Sequence, residues 1–220
     1  MIPIHKSKEP ESLLTYRSCP DALFDGPDCN GLKFSSVKQD IRARLLEDQG
    51  YLCAYCMCRI WPDEKSMKVE HWQCRTKYPK KQLDYANLFG CCLGNAGSKY
   101  ELQHCDTRKD DDDLLFNPAE PIHHERFRIR FLNTGKIVSD DAGFDDQLNK
   151  VLNLNFSRLV DNRKAVWKSV TKRLSEIRGS ASRKQVEELI AEWKAKDRNG
   201  CLKEYCGVAL YYLNKKTRST

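Results

Sequence analysis

Nowhere among the 220 residues is there an apolar run approaching the ~18 to 20 positions needed to cross a bilayer, so no helical membrane span is expected. Met1 to Ser12 has no apolar core of the kind a secretory signal carries, and the expectation is a cytoplasmic chain that touches no membrane. Internal repeats and long low-complexity tracts are also missing, which excludes repeat architectures and biased linkers. What is present is a composition of 40% hydrophobic, 10% aromatic and 31% charged residues, that of a folded chain rather than a disordered one. The length allows one substantial domain or two small ones with a real core, and needs no disulfide framework.

The net charge of +7 is unevenly spread. Residues 151–220 hold sixteen Lys/Arg against seven Asp/Glu, a balance of +9 that leaves −2 for the rest. A mildly acidic front followed by a basic helical tail suits a protein that meets a polyanion, although solvated helix faces would give the same balance.

Four segments follow from the punctuation of the chain. Residues 1–35, with Pro3, Pro10, Pro20 and Pro27, read as an extended arm leaning on the rest. Residues 36–120 begin with an amphipathic helix, in which Val37, Ile41 and Leu45 recur at four-residue steps, a serine can cap the start and Gly50 can end it. Residues 121–150 carry a hairpin signal, with Phe127 to Phe131 alternating apolar and basic, then Asn133, Thr134 and Gly135, then Lys136 to Val138. Residues 151–220 turn helical, with one stripe through Leu159, Val166, Val170, Leu174 and Ile177 and another through Val186, Leu189, Ile190 and Trp193. A last helix is predicted from Cys201 to about Asn214, and the segment from Gly179 to Ser182 reads as a linker.

Eleven cysteines are an odd and high number, and in a reducing compartment they point to metal ligands or small buried hydrophobes. Cys53 and Cys56 form a C-x-x-C knuckle, and a structural zinc needs two further ligands for its tetrahedron. Cys91 or Cys92, with Cys105, can supply them across a loop rich in Gly, Asn and Ser; the preferred set is Cys53, Cys56, Cys92 and Cys105. No strand–helix–strand pattern surrounds the knuckle, which argues against a redox pair. Cys19, Cys29, Cys58, Cys74, Cys201 and Cys206 lack partners by spacing and read as buried thiols.

Between the two halves of that set, Met67 to Trp72 forms a short strand ending on Glu70 and His71. A basic loop follows, and Tyr85 to Phe89, containing Asn87, leads into the second cysteine pair. A histidine on one strand, an asparagine before the next and a ligand after the last knuckle cysteine resemble the HNH, or ββα-metal, nuclease motif. That resemblance makes His71 the general base, a role suited to a side chain that titrates near neutrality, and makes Asn87 the residue that orients its ring. It also implies a catalytic magnesium or manganese ion on Glu70 and on Asp106, where the family carries His or Asn, with His104 as the rival ligand. Neighbours on a strand face opposite sides, so the strand must twist or end at Glu70. Arg75, Lys77, Lys80 and Lys81 lie in the following loop, and with Lys109 they can contact phosphates. The run Asp110 to Asp113 reads as solvated, and His5, His123 and His124 carry no assignment.

The order of these motifs is more specific than any one of them. With Leu45 to Cys56 before them and Leu114 to Pro118 after, they look like the HNH proteins of retron and Septu antiphage systems, the PtuB-like effectors. The resemblance is strong over 36–120 and looser in the tail. It implies an α+β, mainly helical fold with a zinc-stapled ββα-metal core, a toxic effector nuclease, a PtuA-like ATPase of the ABC/SMC type as partner and, in retrons, a reverse transcriptase with its multicopy single-stranded DNA. No module that reads bases is recognisable, so the expected substrate is a phosphodiester of either DNA or RNA.

Overall fold

The computed structural model describes residues 1–177, 179 and 181–217; Ser180 of the expected linker lies outside the described residues. The architecture is mixed α+β and mainly helical, with small sheets. The arm leans on the rest through buried Met1 and Ile4, and the Ile4 N–H donates to the carbonyl of Pro118 at 3.0 Å. It also contains a helix, α1 (Glu11–Arg17), whose N-cap is Pro10 and whose Leu13 and Tyr16 are fully buried. Pro10 was counted as a breaker, yet a fixed φ before the first turn starts a helix as readily as it stops one.

Helix α2 (Phe34–Gln49) buries Phe34, Val37, Ile41, Leu45 and Leu46. Its N-cap is Lys33 rather than a serine, and no side chain caps it. Gly50 closes it at φ 58°, its N–H on the carbonyl of Leu46. A Cβ at Gly50 would meet Leu202 Cγ at 2.6 Å. Gly50→Ala is therefore expected to cost about 1–3 kcal/mol from the left-handed backbone alone, before the clash is added. A thermal melt reads it as a lowered midpoint.

Strands β1 (Met67–His71) and β2 (Leu88–Cys92) pair antiparallel, with Glu70 opposite Phe89 and His71 opposite Leu88. Every residue of β2 is buried. The short helix α3 (Cys105–Lys109) follows. Next, Pro121 at the first turn starts α4 (Pro121–Phe127), which takes Phe127 out of the expected hairpin. The hairpin is thereby reduced to β3 (Arg130–Phe131) and β4 (Ile137–Val138), turned at Gly135 with φ 87°.

Helices α5 (Ala142–Lys150), α6 (Ser157–Ser175), α7 (Arg183–Lys194) and α8 (Cys206–Thr217) complete the chain. A capping box of Ser182 and Gln185 opens α7. Helix α8 begins five residues later than expected, because the Leu202 and Tyr205 N–H groups donate to the carbonyls of Gly50 and Met57, both at 3.0 Å, and hold 201–205 outside a helix. One apolar cluster runs from Ile4 through Leu46, Phe89, Phe127 and Phe144 to Leu159, so the four segments share a core. Val170, Val186, Ala209 and Leu213 make a further cluster among α6, α7 and α8. No helix among the described residues is long and apolar enough to cross a membrane.

Candidate active site and metal centres

The knuckle is a tight turn. The Met57 N–H returns to the Cys53 carbonyl at 3.0 Å, and the Ala54 N–H ties the turn to β2 through the carbonyl of Gly90 at 3.0 Å. Across from it stand Cys92 at the end of β2 and Cys105 at the start of α3. The four sulfurs of Cys53, Cys56, Cys92 and Cys105 lie within 4.8 Å of one another, all buried. Cys53 and Cys105 approach to 3.9 Å, and Cys56 and Cys92 to 3.8 Å. A tetrahedral zinc with Zn–S bonds of about 2.3 Å sets its sulfurs about 3.8 Å apart, so the cluster could hold that ion. Cys91 is fully buried but outside the group, since successive strand residues face opposite ways. All eleven cysteines are free thiols.

The return loop is held close. Gly94, at φ 53°, accepts the His104 N–H at 3.0 Å, and a Cβ there would sit 2.0 Å from the His104 carbonyl. Cys105 itself adopts φ 55°, a strained backbone at a candidate ligand. His104 sits beside this cluster. Its Nδ1 lies 3.2 Å from the Cys105 sulfur and 4.0 Å from that of Cys92, and its ring stacks on Phe156.

Along β1 opens a cleft of about 460 Å³ whose lining includes Glu70, His71 and Asp106, but not His104. His71 ends β1, with the Phe24 ring edge-on at 4.5 Å and its Nε2 2.9 Å from the carbonyl of Gln82. A carbonyl only accepts, so Nε2 carries the hydrogen and the lone pair is left on Nδ1. Burial holds the imidazole down at about 4, which leaves it neutral near pH 7.

Asn87 does not touch the ring. Its Oδ1 accepts the Gln73 N–H at 2.8 Å, and its Nδ2 donates to the carbonyls of Gln73 at 3.0 Å and Lys81 at 3.1 Å. One side chain thus pins both ends of the 73–81 loop, and the next carbonyl, that of Gln82, holds His71.

Glu70 is 3% exposed. Its Oε1 accepts the Tyr55 hydroxyl at 2.9 Å and lies 2.9 Å from the Lys109 ammonium. Burial first, and the Asp106 carboxylate second, push its pKa well above the usual range. Asp106, on α3, is 3.5 Å from the Lys68 ammonium. Two carboxylates crowded beside a neutral imidazole form a hard oxygen set of the kind that suits magnesium or manganese. All five residues of β1, Glu70 and His71 among them, line the cleft.

The basic residues divide. Arg75 lines the cleft, over the Phe24 ring, while Lys77 pairs with Asp113 at 3.3 Å and does not line it. Lys80 and Lys81, on the one-turn helix Pro79–Lys81, are exposed away from it. Lys109 is a correction to the expectation of a phosphate contact: it is fully buried, and its ammonium is spent on Glu70 and, at 3.2 Å, on the His71 carbonyl. Its place in α3, three residues after Asp106, turns it beneath β1. Asp110 to Asp113 are solvent-exposed, as expected, and Asp110 and Asp111 also border the cleft. His123 accepts the Asn117 N–H and His124 bonds the Pro118 carbonyl, both structural contacts.

Sequence reasoning missed Phe24, Lys38, Arg42, Glu64 and Lys68 as cleft residues. Lys38 and Arg42 stand four apart on α2, a spacing that puts both on one face and was readable.

Fold and site together define a protein with a potential four-cysteine zinc centre set beside a cleft in which His71 stands with the carboxylates of Glu70 and Asp106. No protein-family model matches the chain. Two curated proteins are similar to it. A candidate HNH endonuclease of retron Vc95, from Vibrio cholerae serotype O1 biovar El Tor, is 29% identical over 132 residues, 59% of this chain and 62% of that protein. The Septu protein PtuB of Bacillus thuringiensis is 26% identical over 132 residues, 59% of this chain and 49% of that protein. The match thus spans less than two thirds of either relative. Together the two support a place for this chain in the HNH antiphage effector family.

Proposed function

We propose that the chain is a metal-dependent HNH nuclease that hydrolyses nucleic-acid phosphodiesters as the effector of a retron- or Septu-type defence complex. The observation that carries this reading is the meeting of His71, Glu70 and Asp106 in one cleft beside the cysteine cluster. β1, β2 and α3 are read as the ββα-metal unit, stapled by zinc on Cys53, Cys56, Cys92 and Cys105.

Glu70 and Asp106 would hold the magnesium or manganese ion, which when bound stabilises charge on the phosphate and the leaving oxygen. His71 takes a proton from the attacking water at Nδ1, while the Gln82 carbonyl keeps Nε2 in place. Asn87 is a positioning residue that acts through the 73–81 loop. Asn87→Ala is expected to lower kcat roughly tenfold to a hundredfold through misplacement of the base, with zinc content unchanged. Steady-state rates beside metal analysis check it.

The Arg75 guanidinium stands where it can meet the phosphates flanking the scissile bond. The basic tail of α6, α7 and α8 would serve a PtuA-like ATPase, a reverse transcriptase with its DNA, or the substrate backbone, in the cytoplasm. Nothing in the cleft requires a 2′-hydroxyl, so the reading covers DNA and RNA alike.

One observation favours a second reading, a non-catalytic zinc-knuckle adaptor: Glu70 already holds a buried cation, the Lys109 ammonium. The test is incubation of the purified protein, alone and with its partners, with labelled DNA and RNA in magnesium, manganese or EDTA. Divalent-dependent cutting that Asp106→Ala removes supports the nuclease. Binding without cutting under every condition supports the adaptor.

A further inference from the structure

The geometry points to Arg42 as a buried phosphate-binding residue of the cleft, beside Arg75, with the Glu64 carboxylate as a resident stand-in that a nucleic-acid phosphate displaces. This rests on the reading above only in taking the cleft as the nucleic-acid site. Arg42 stands on α2 and lines the cleft with Glu70, His71 and Asp106, and its side chain is 4% exposed. Its Nε is buried without a hydrogen-bond partner. Its Nη2 reaches Glu64 Oε1 at 3.0 Å. Glu64 lies in the turn before β1, and its side chain is 75% exposed.

A buried guanidinium persists when it is paired, yet here the pairing anion belongs to a side chain that stands largely in water. The two lysines of the cleft are engaged, Lys38 with Asp25 at 2.8 Å and Lys68 with Asp106 and the Thr107 hydroxyl, while Arg75 is exposed over the Phe24 ring. Arg42 is the one whose fork keeps an unused buried donor.

A planar guanidinium matches two oxygens of a carboxylate or of a phosphodiester equally well. Substitution of one monoanion for the other leaves Arg42 paired throughout. Glu64 can leave at little cost, since an exposed carboxylate gives up only a weak ion pair when it swings into solvent. The carboxylate would also repel polyanions too weakly held to displace it.

The test is anisotropy of a fluorescein-labelled DNA duplex and, separately, an RNA hairpin, titrated with full-length zinc-loaded His71→Ala protein over a range of salt. Adding Glu64→Ala is expected to tighten binding about two- to fivefold, the worth of an exposed pair. Adding Arg42→Gln is expected to weaken it about tenfold and to lower the salt slope by about one, the signature of one lost phosphate contact. Arg42→Lys, which keeps the charge but not the fork, should fall between. If Arg42→Gln fails to match its parent in zinc content and thermal midpoint, Glu64→Ala decides alone.

Unchanged or weaker binding by Glu64→Ala overturns the assignment, as does an unchanged salt slope in folded Arg42→Gln, or no binding of either probe. Parallel cleavage by protein retaining His71 separates this inference from the nuclease reading. Cutting that ignores Arg42 leaves the nuclease and removes the clamp, whereas Arg42-dependent binding without cutting does the reverse.

Discussion

His71→Ala is expected to lower nucleic-acid cleavage by about 10²- to 10⁴-fold, the range a positioned general base contributes. The protein should stay folded, with its metal content unchanged. The substitution removes one hydrogen bond to Gln82 and an edge contact with Phe24. Such a loss is about 1–3 kcal/mol, against a total stability of about 5–15 kcal/mol for a domain. The two readouts therefore come apart, with activity collapsing while the melting midpoint shifts by a few degrees. A variant that cuts at the parental rate would remove His71 from the chemistry, and one that unfolds would say nothing about the base, so melts and metal content belong beside the rates.

With the cysteine cluster read as a zinc staple, removal of the ion is expected to have the largest effect on the fold. The four cysteines come from the knuckle after α2, the end of β2 and the start of α3, and the cluster is the point at which these pieces meet. Structural zinc contributes about 10–16 kcal/mol in zinc-finger peptides, as much as a whole domain's net stability. Chelation, or Cys92→Ser or Cys105→Ser, should abolish the cooperative melt. Cys91→Ser is the control. Cys91 is equally buried, yet outside the group, so that variant should bind zinc normally and pay only for a buried hydroxyl, about 1–3 kcal/mol. Loss of zinc from Cys91→Ser with retention by Cys92→Ser would invert the ligand set.

How far the chain could be read without coordinates depended on how local each signal was. The knuckle and the body of α2 rest on spacings within a few residues, and both emerge as expected. Helices α1 and α4 were missed because Pro10 was read as part of an extended arm and Pro121 was given no role, whereas at a helix start a missing N–H costs nothing. The hairpin was read too long for the same reason, since its first apolar residue belongs to α4. Lys109 and Arg42 show the other limit. Lys109 was read as a phosphate contact and Arg42 was given no role, and only the packing of α3 and α2 against β2 reveals that one is fully buried on Glu70 and the other nearly so behind Glu64. Asn87 was given the right neighbourhood, but the structure routes its influence on His71 through the backbone of a loop, which no spacing could disclose.

The central claim is that the His71 cleft cuts nucleic acid. Its most direct test is to sequence the 5′ ends of cellular DNA and RNA after induction of wild-type protein or His71→Ala, each with its partner proteins present. The account predicts new ends in DNA, RNA or both with the wild type and none with the variant. The same new ends in both cultures, or no new ends in either, would contradict it.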